Sequence, residues 1–202
     1  MKTSQDIVAE NLSNYWNVRD DYKGKDLIEL QAICKKDALP FTVCCVNVTG
    51  DLNLGIIMRT ASLMGAERFI IYGKHGYDRR STVGAHNYIN IVKAGSIDRE
   101  GSMEIDYSGL MPLMASYQLS PIFFDTGGIP LNELNMKEYD LYYHRFGYSP
   151  CLIFGNEGMG LPSELTNGKR VVTIPQRGVL RSLNVSSAAS IAIHHFSSYL
   201  SK

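Results

Sequence analysis

Residues 41–48 read Phe-Thr-Val-Cys-Cys-Val-Asn-Val, apolar almost from end to end. A strand with one wet face alternates polar and apolar residues. This run does not, so it is to be covered on both faces, the condition of a central strand in a parallel sheet. The demand recurs. Arg68–Tyr72, Ile89–Val92, Pro121–Phe124, Pro150–Phe154 and Val171–Ile174 all read as short strands, separated by stretches with helical spacing. The fold class that follows is α/β, with helices on both sides of the sheet.

Twenty Lys and Arg balance twenty Asp and Glu. No large basic field can recruit nucleic acid, so any RNA or DNA partner is held by a local patch. Cys34, Cys44, Cys45 and Cys151 show no Cys-x-x-Cys pairing and sit mostly in apolar runs. They read as buried thiols of a cytoplasmic protein, with neither a disulfide frame nor a metal site. No apolar run reaches membrane-spanning length and the N-terminus lacks a signal-type core.

In chain order, Ser4–Asn17 and Lys25–Lys36 each present one apolar helical face, the latter through Leu27, Ile28, Leu30, Ile33 and Cys34. They form a short helical N-terminal extension, residues 1–40, before a domain spanning 41–202. After the first strand, Asn53 is placed to cap a helix whose apolar face is Ile56, Ile57, Leu63 and Met64, with Gly65 as its stop. Arg59 falls inside that helix, directly after a central strand, which is the ligand edge of such sheets. The loop after the second strand carries Arg79 and Arg80 near Tyr77 and Tyr88, a combination able to grip a nucleic-acid backbone. Leu110–Gln118 reads as a helix. Glu138–Tyr148 is dense in aromatics and fits no period; it reads as an extended arm or a loop packed on a partner subunit. His75, His86 and His144 read as surface residues.

The last third is the most specific. The strand ending at Phe154 runs into Gly155-Asn156-Glu157-Gly158-Met159-Gly160-Leu161-Pro162. Three glycines in six residues mark a bent backbone or one approached closely by a ligand. The pattern is neither a P-loop nor a dinucleotide fingerprint. A further strand ends at Pro175, which has no N–H for the ladder. After it come Ser182-Leu183-Asn184 and a helix opening on Ser186, Ser187, Ala188, Ala189 and Ser190. Ser182 or Asn184 caps it. A helix this slim lies close to something, either the sheet it packs on or a ligand held by its loop.

Three stretches, in order, resemble the motifs of the SPOUT superfamily in its SpoU/TrmH branch of RNA ribose 2′-O-methyltransferases: Asn53–Arg59, Leu152–Leu161, and Ile174-Pro175-Gln176 through Ser182–Ser186. Thr82–Ala85 fits a weaker family feature, and the resemblance covers residue 41 to the C-terminus. Gln176 and Ser187 stand where the family commonly has methionine and valine. The resemblance implies a C-terminal deep trefoil knot, a homodimer built through the small-residue helices, and S-adenosylmethionine as cofactor, with tRNA or rRNA as substrate and no metal. It implies that Gly155, Ile174 and Leu183 hold the adenosine, with Asn156, Gln176 and Asn184 beside them. Arg59 corresponds to the family's catalytic arginine, acting as a perturbed base or as a holder of phosphate and ribose. Asn53, Glu157, Ser182 and Asn184 support it, although Glu157 also reads as a plain brace of the glycine loop. Arg79, Arg80 and Arg181 are the nominated RNA contacts. The rival reading is a non-catalytic RNA-binding dimer on the same fold.

Overall fold

The computed structural model describes residues 17–99 and 101–202. The helix expected over Ser4–Asn17 lies outside the described residues, save for Asn17. The elements run α1 (Leu27–Lys36), β1 (Leu39–Val46), α2 (Asp51–Leu63), β2 (Ala66–Tyr72), α3 (Arg79–Thr82), β3 (Asn90–Ala94), β4 (Ser96–Arg99) and β5 (Ser102–Ile105). They continue with α4 (Leu110–Ser116), β6 (Leu119–Pro130), α5 (Met136–Phe146), β7 (Ser149–Phe154), α6 (Ser163–Thr166), β8 (Val171–Thr173) and α7 (Val185–Leu200).

Six strands form one sheet in the order β3-β2-β1-β7-β6-β8, and every neighbouring pair is parallel. The expectation of a parallel sheet covered on both faces is met. Phe41, Val43 and Cys45 of β1 pack with α2, α5 and α7 on one face. Cys44 and Val46 pack with Leu110 and Met114 of α4 and Leu165 of α6 on the other. The two-residue period of a strand thus divides one apolar run between two cores. After β8 the chain returns from the sheet edge to its centre, where α7 lies against α2, β1 and β7. This return passes where the resemblance implies a knot.

Several local expectations are corrected. In α2 the buried residues are Leu54, Gly55, Ile57, Met58 and Ala61, whereas Ile56 and Leu63 face outward. The buried face differs from the apolar spacing because it includes Gly55, which carries no apolar signal and turns toward α3. A side chain at Gly55 would run into the Ser81 hydroxyl, so α2 and α3 approach closely there. In α1 only Leu30 is buried; Ile28 and Cys34 are exposed, so Cys34 is not one of the buried thiols. Asp26 and Glu29 close a capping box at its start. Residues 138–148 are neither arm nor loop. Residues 138–146 fall in α5, where Met136 and Tyr139 are buried one turn apart, and Gly147 ends the helix at φ 72. The aromatic density hid that spacing. β4 and β5 pair as a separate antiparallel hairpin that no period in the sequence marks.

Candidate active site

A cleft of about 400 Å³ opens at the carboxyl ends of β7 and β8 and the middle of β6, beside the first turn of α7. Its volume lies in the range of small-molecule sites. Phe124, Phe154, Val172, Val185 and Ala188 give it an apolar wall, and the Phe124 and Phe154 rings stack at 4.9 Å. Gly155, Asn156, Glu157, Ile174, Gln176, Arg181, Ser182, Leu183 and Asn184 also line it. All six residues named for cofactor binding therefore share one cleft.

Three loops are tied together by side chains. The Glu157 carboxylate accepts from the Asn53 amide at 2.8 Å, the Gly50 N–H at 3.0 Å, and the Thr49 N–H and hydroxyl at 3.1 Å each. Burial pushes the Glu157 carboxyl up, but donation from Asn53, its own backbone, Thr49 and Gly50 outweighs it and lowers its pKa to about 2. Glu157 is thus a brace, and it spans from the glycine loop to the start of α2. The Asn53 oxygen in turn accepts from the Asn184 amide at 3.2 Å. The Asn184 oxygen accepts from the Ser186 N–H at 2.8 Å and caps α7. The polarity of this chain is fixed from a helix N–H at one end to a carboxylate at the other.

Asn53 is not the cap expected of it. The N-cap of α2 is Gly50, without a side-chain cap bond, and Asn53 lies in the first turn. Between the two capping candidates of α7, Asn184 takes the role and Ser182 is exposed in the cleft lining. Asn156 is committed to its own loop: its amide donates to the Asn47 carbonyl at 3.0 Å and its oxygen accepts from the Gly158 and Met159 N–H groups at 2.9 and 3.0 Å. Gly155 has a reason for lacking a side chain that precedes any ligand. A Cβ there would stand 2.6 Å from the Leu161 nitrogen, because the loop folds back on itself through the Asn156–Gly160 pair.

Arg59 is exposed on the outer face of α2 and does not line the cleft. Arg80 is held by Asp78 at 2.8 Å, and that carboxylate also caps α3. Arg79 is exposed on the same short helix, and Arg181 lies at the cleft. His86 is half-buried, with Nδ1 2.6 Å from the Thr82 hydroxyl. Burial and the nearby Arg79 charge lower its pKa. Asp125 and Thr126, which sequence reading passed over, line the cleft from the middle of β6, just past its last residue paired with β7.

Residues 40–194 match the model of the SpoU rRNA Methylase family. The chain belongs to this family. The fold is shared with solved structures. An AdoMet-bound rRNA methyltransferase from Sinorhizobium meliloti aligns with TM-score 0.64 and 24% identity, over 85% of this chain and 60% of that one. The A. aeolicus TrmH/SpoU tRNA modifying enzyme aligns with TM-score 0.64 and 20% identity, over 85% and 81% respectively. A mouse (Mus musculus) protein, tRNA (guanosine(18)-2′-O)-methyltransferase TARBP1, is 37% identical over 65 residues, 32% of this chain and 4% of that protein. Among the described residues no helix is long and apolar enough to cross a membrane, and no group of His, Cys, Asp or Glu is placed to hold a metal ion.

Proposed function

We propose that this protein is an S-adenosylmethionine-dependent RNA methyltransferase acting on a ribose 2′-hydroxyl of tRNA or rRNA. The observation that carries the reading is the cleft, which two of the three motif loops line and to which the first is tied through Asn53, bonded to both Glu157 and Asn184. The residues present fit the cofactor. The cleft combines apolar and polar lining, as a nucleoside with a charged tail requires, and Gly155, Ile174 and Leu183 all line it. When bound, S-adenosylmethionine supplies the methyl group.

The chain's own residues hold and order the substrate. Ser182 and Arg181 stand at the cleft with donors that have no partner among the described residues, suited to a hydroxyl and a phosphate of the target nucleotide. Glu157 is a poor base, since its oxygens are occupied and its pKa is near 2. Its service is to hold Asn53 and the loop in place. A guanidinium offers a planar fork of donors, and the role of Arg59 is to stabilise developing charge.

Arg59 faces out beside Leu52, Ile56 and Leu63, which form an exposed apolar stripe on α2, and near it α7 exposes Ile191. A symmetric homodimer closing over these faces is part of the proposal. In it Arg59 is available to the partner's cleft. The RNA surface is Arg79 and Arg181, with Arg80 contributing less because Asp78 already holds it. The family match beginning at residue 40 supports a boundary between an extension over 1–40 and the domain over 41–202. A cytoplasmic location and the knot belong to the same proposal.

The test is incubation of the purified protein with methyl-labelled S-adenosylmethionine and total RNA. Label should enter RNA. Calorimetric binding of the cofactor with no transfer to any RNA pool would favour the non-catalytic RNA-binding dimer instead.

A further inference from the structure

Two carboxylates line the cleft, Asp125 and Glu157. Glu157 is spent, with four donors on its two oxygens. Asp125 is different. Its Oδ2 accepts from the Leu161 N–H at 3.0 Å and its Oδ1 from the Thr126 N–H at 2.7 Å. A carboxylate has about four acceptor positions, so Asp125 is fixed in place by the backbone and still has capacity.

The backbone around it is built to put it there. β6 pairs regularly with β8 up to Phe124 opposite Val172, then slips, so that Ile129 is again opposite Val172. Residues 125–128 leave the ladder between these points. Such bulges re-aim side chains and recur beside active sites. Gly128 has no room for a Cβ against the Val171 backbone, which lets the strand rejoin its neighbour. Gly160 lies across from the carboxylate at φ 70, and a Cβ there would come 2.8 Å from Asp125 Oδ2. Bulge and glycine loop are thus fitted to each other around this one side chain. Asp125 also directly follows Phe124, where the stacked apolar wall gives way to polar lining.

We propose that Asp125 binds the vicinal ribose hydroxyls of the adenosine moiety, as a second function beside holding the glycine loop. This rests on the reading that the cleft takes S-adenosylmethionine. Asp125 lines the same cleft as Gly155, Ile174 and Leu183, so a nucleoside held by those residues has this carboxylate in the same cleft as its sugar. A carboxylate with acceptor positions still open among the described residues, set at a break in a strand's ladder, can grip a diol as the acidic residue of dinucleotide sites does.

The test is a double-mutant cycle with ligand-side truncation, on the full chain, by titration calorimetry with competition against S-adenosylmethionine. Wild type should bind adenosine about tenfold or more tighter than 2′,3′-dideoxyadenosine, as loss of hydrogen bonds to a charged acceptor entails. Asp125→Ala should weaken adenosine by a similar factor and leave dideoxyadenosine nearly unchanged. Asp125→Asn, which keeps shape and one acceptor, should fall between. Equal weakening of both nucleosides in Asp125→Ala would overturn the proposal and leave only a loop brace. Weakening of S-adenosylmethionine without weakening of adenosine or 5′-methylthioadenosine would overturn it too, placing the carboxylate at the amino-acid end. Wild type that binds none of these ligands would overturn the cofactor reading itself, which the nucleoside ratio does not touch.

Discussion

Replacing Glu157 by Gln removes one charge and leaves shape almost untouched. Glu157 accepts from Asn53, Gly50 and Thr49, three residues more than a hundred positions away in sequence. Its pKa falls from an ordinary 4.5 to about 2 in the folded chain. At about 1.4 kcal/mol per unit the shift alone corresponds to about 3 kcal/mol. Glu157 is only half-buried, and solvent screening reduces this to about 2 kcal/mol. The variant amide must also turn its NH₂ toward a donor, which works in the same direction. For a chain of this size about 2 kcal/mol is about 4–8 °C in Tm. The pH dependence follows from the depressed pKa: the contribution is present above pH 4.5 and is lost as pH falls through about 2. Thermal unfolding by circular dichroism at pH 7 should therefore separate wild type from Glu157→Gln, and the gap should close toward pH 2. Equal Tm values at pH 7, or a gap that persists unchanged to pH 2, would refute the brace.

Gly155→Ala should lower thermal stability as well as cofactor affinity, because its Cβ would stand 2.6 Å from the Leu161 nitrogen with no ligand present; unchanged Tm with lost calorimetric binding would restore a purely ligand-based role for this glycine. Light scattering at micromolar concentration should give a dimer, and Ile56→Glu with Leu63→Glu should shift it toward monomer, since both side chains are exposed on α2 beside Arg59. A monomeric wild type would remove the partner-supplied Arg59.

Much of the sheet was legible because burial on both faces writes itself into runs such as 41–48. Helix faces were less so. Gly55 is buried where Ile56 is exposed, since room beside α3 rather than hydropathy decides which side of α2 turns in. α5 was missed because exposed Leu141, Tyr142 and Phe146 blur the turn-spaced pair Met136 and Tyr139. The three motif loops could be read as strand ends, yet their joining by Glu157, Asn53 and Asn184 needs coordinates, because each partner is local to a different loop. Asp125 left no sequence signal. Its placement depends on a slip in strand register, which no single residue announces.

The position of the transferred methyl group tests the account most directly. After incubation with methyl-labelled S-adenosylmethionine, RNA would be hydrolysed in alkali and its products separated. A methylated 2′-hydroxyl cannot attack the adjacent phosphate, so ribose methylation leaves label in alkali-stable dinucleotides. That is the predicted result, and it should vanish with Ser182→Ala while cofactor binding persists. Label recovered in mononucleotides would place the methyl on a base and contradict the claim that this cleft presents a ribose hydroxyl.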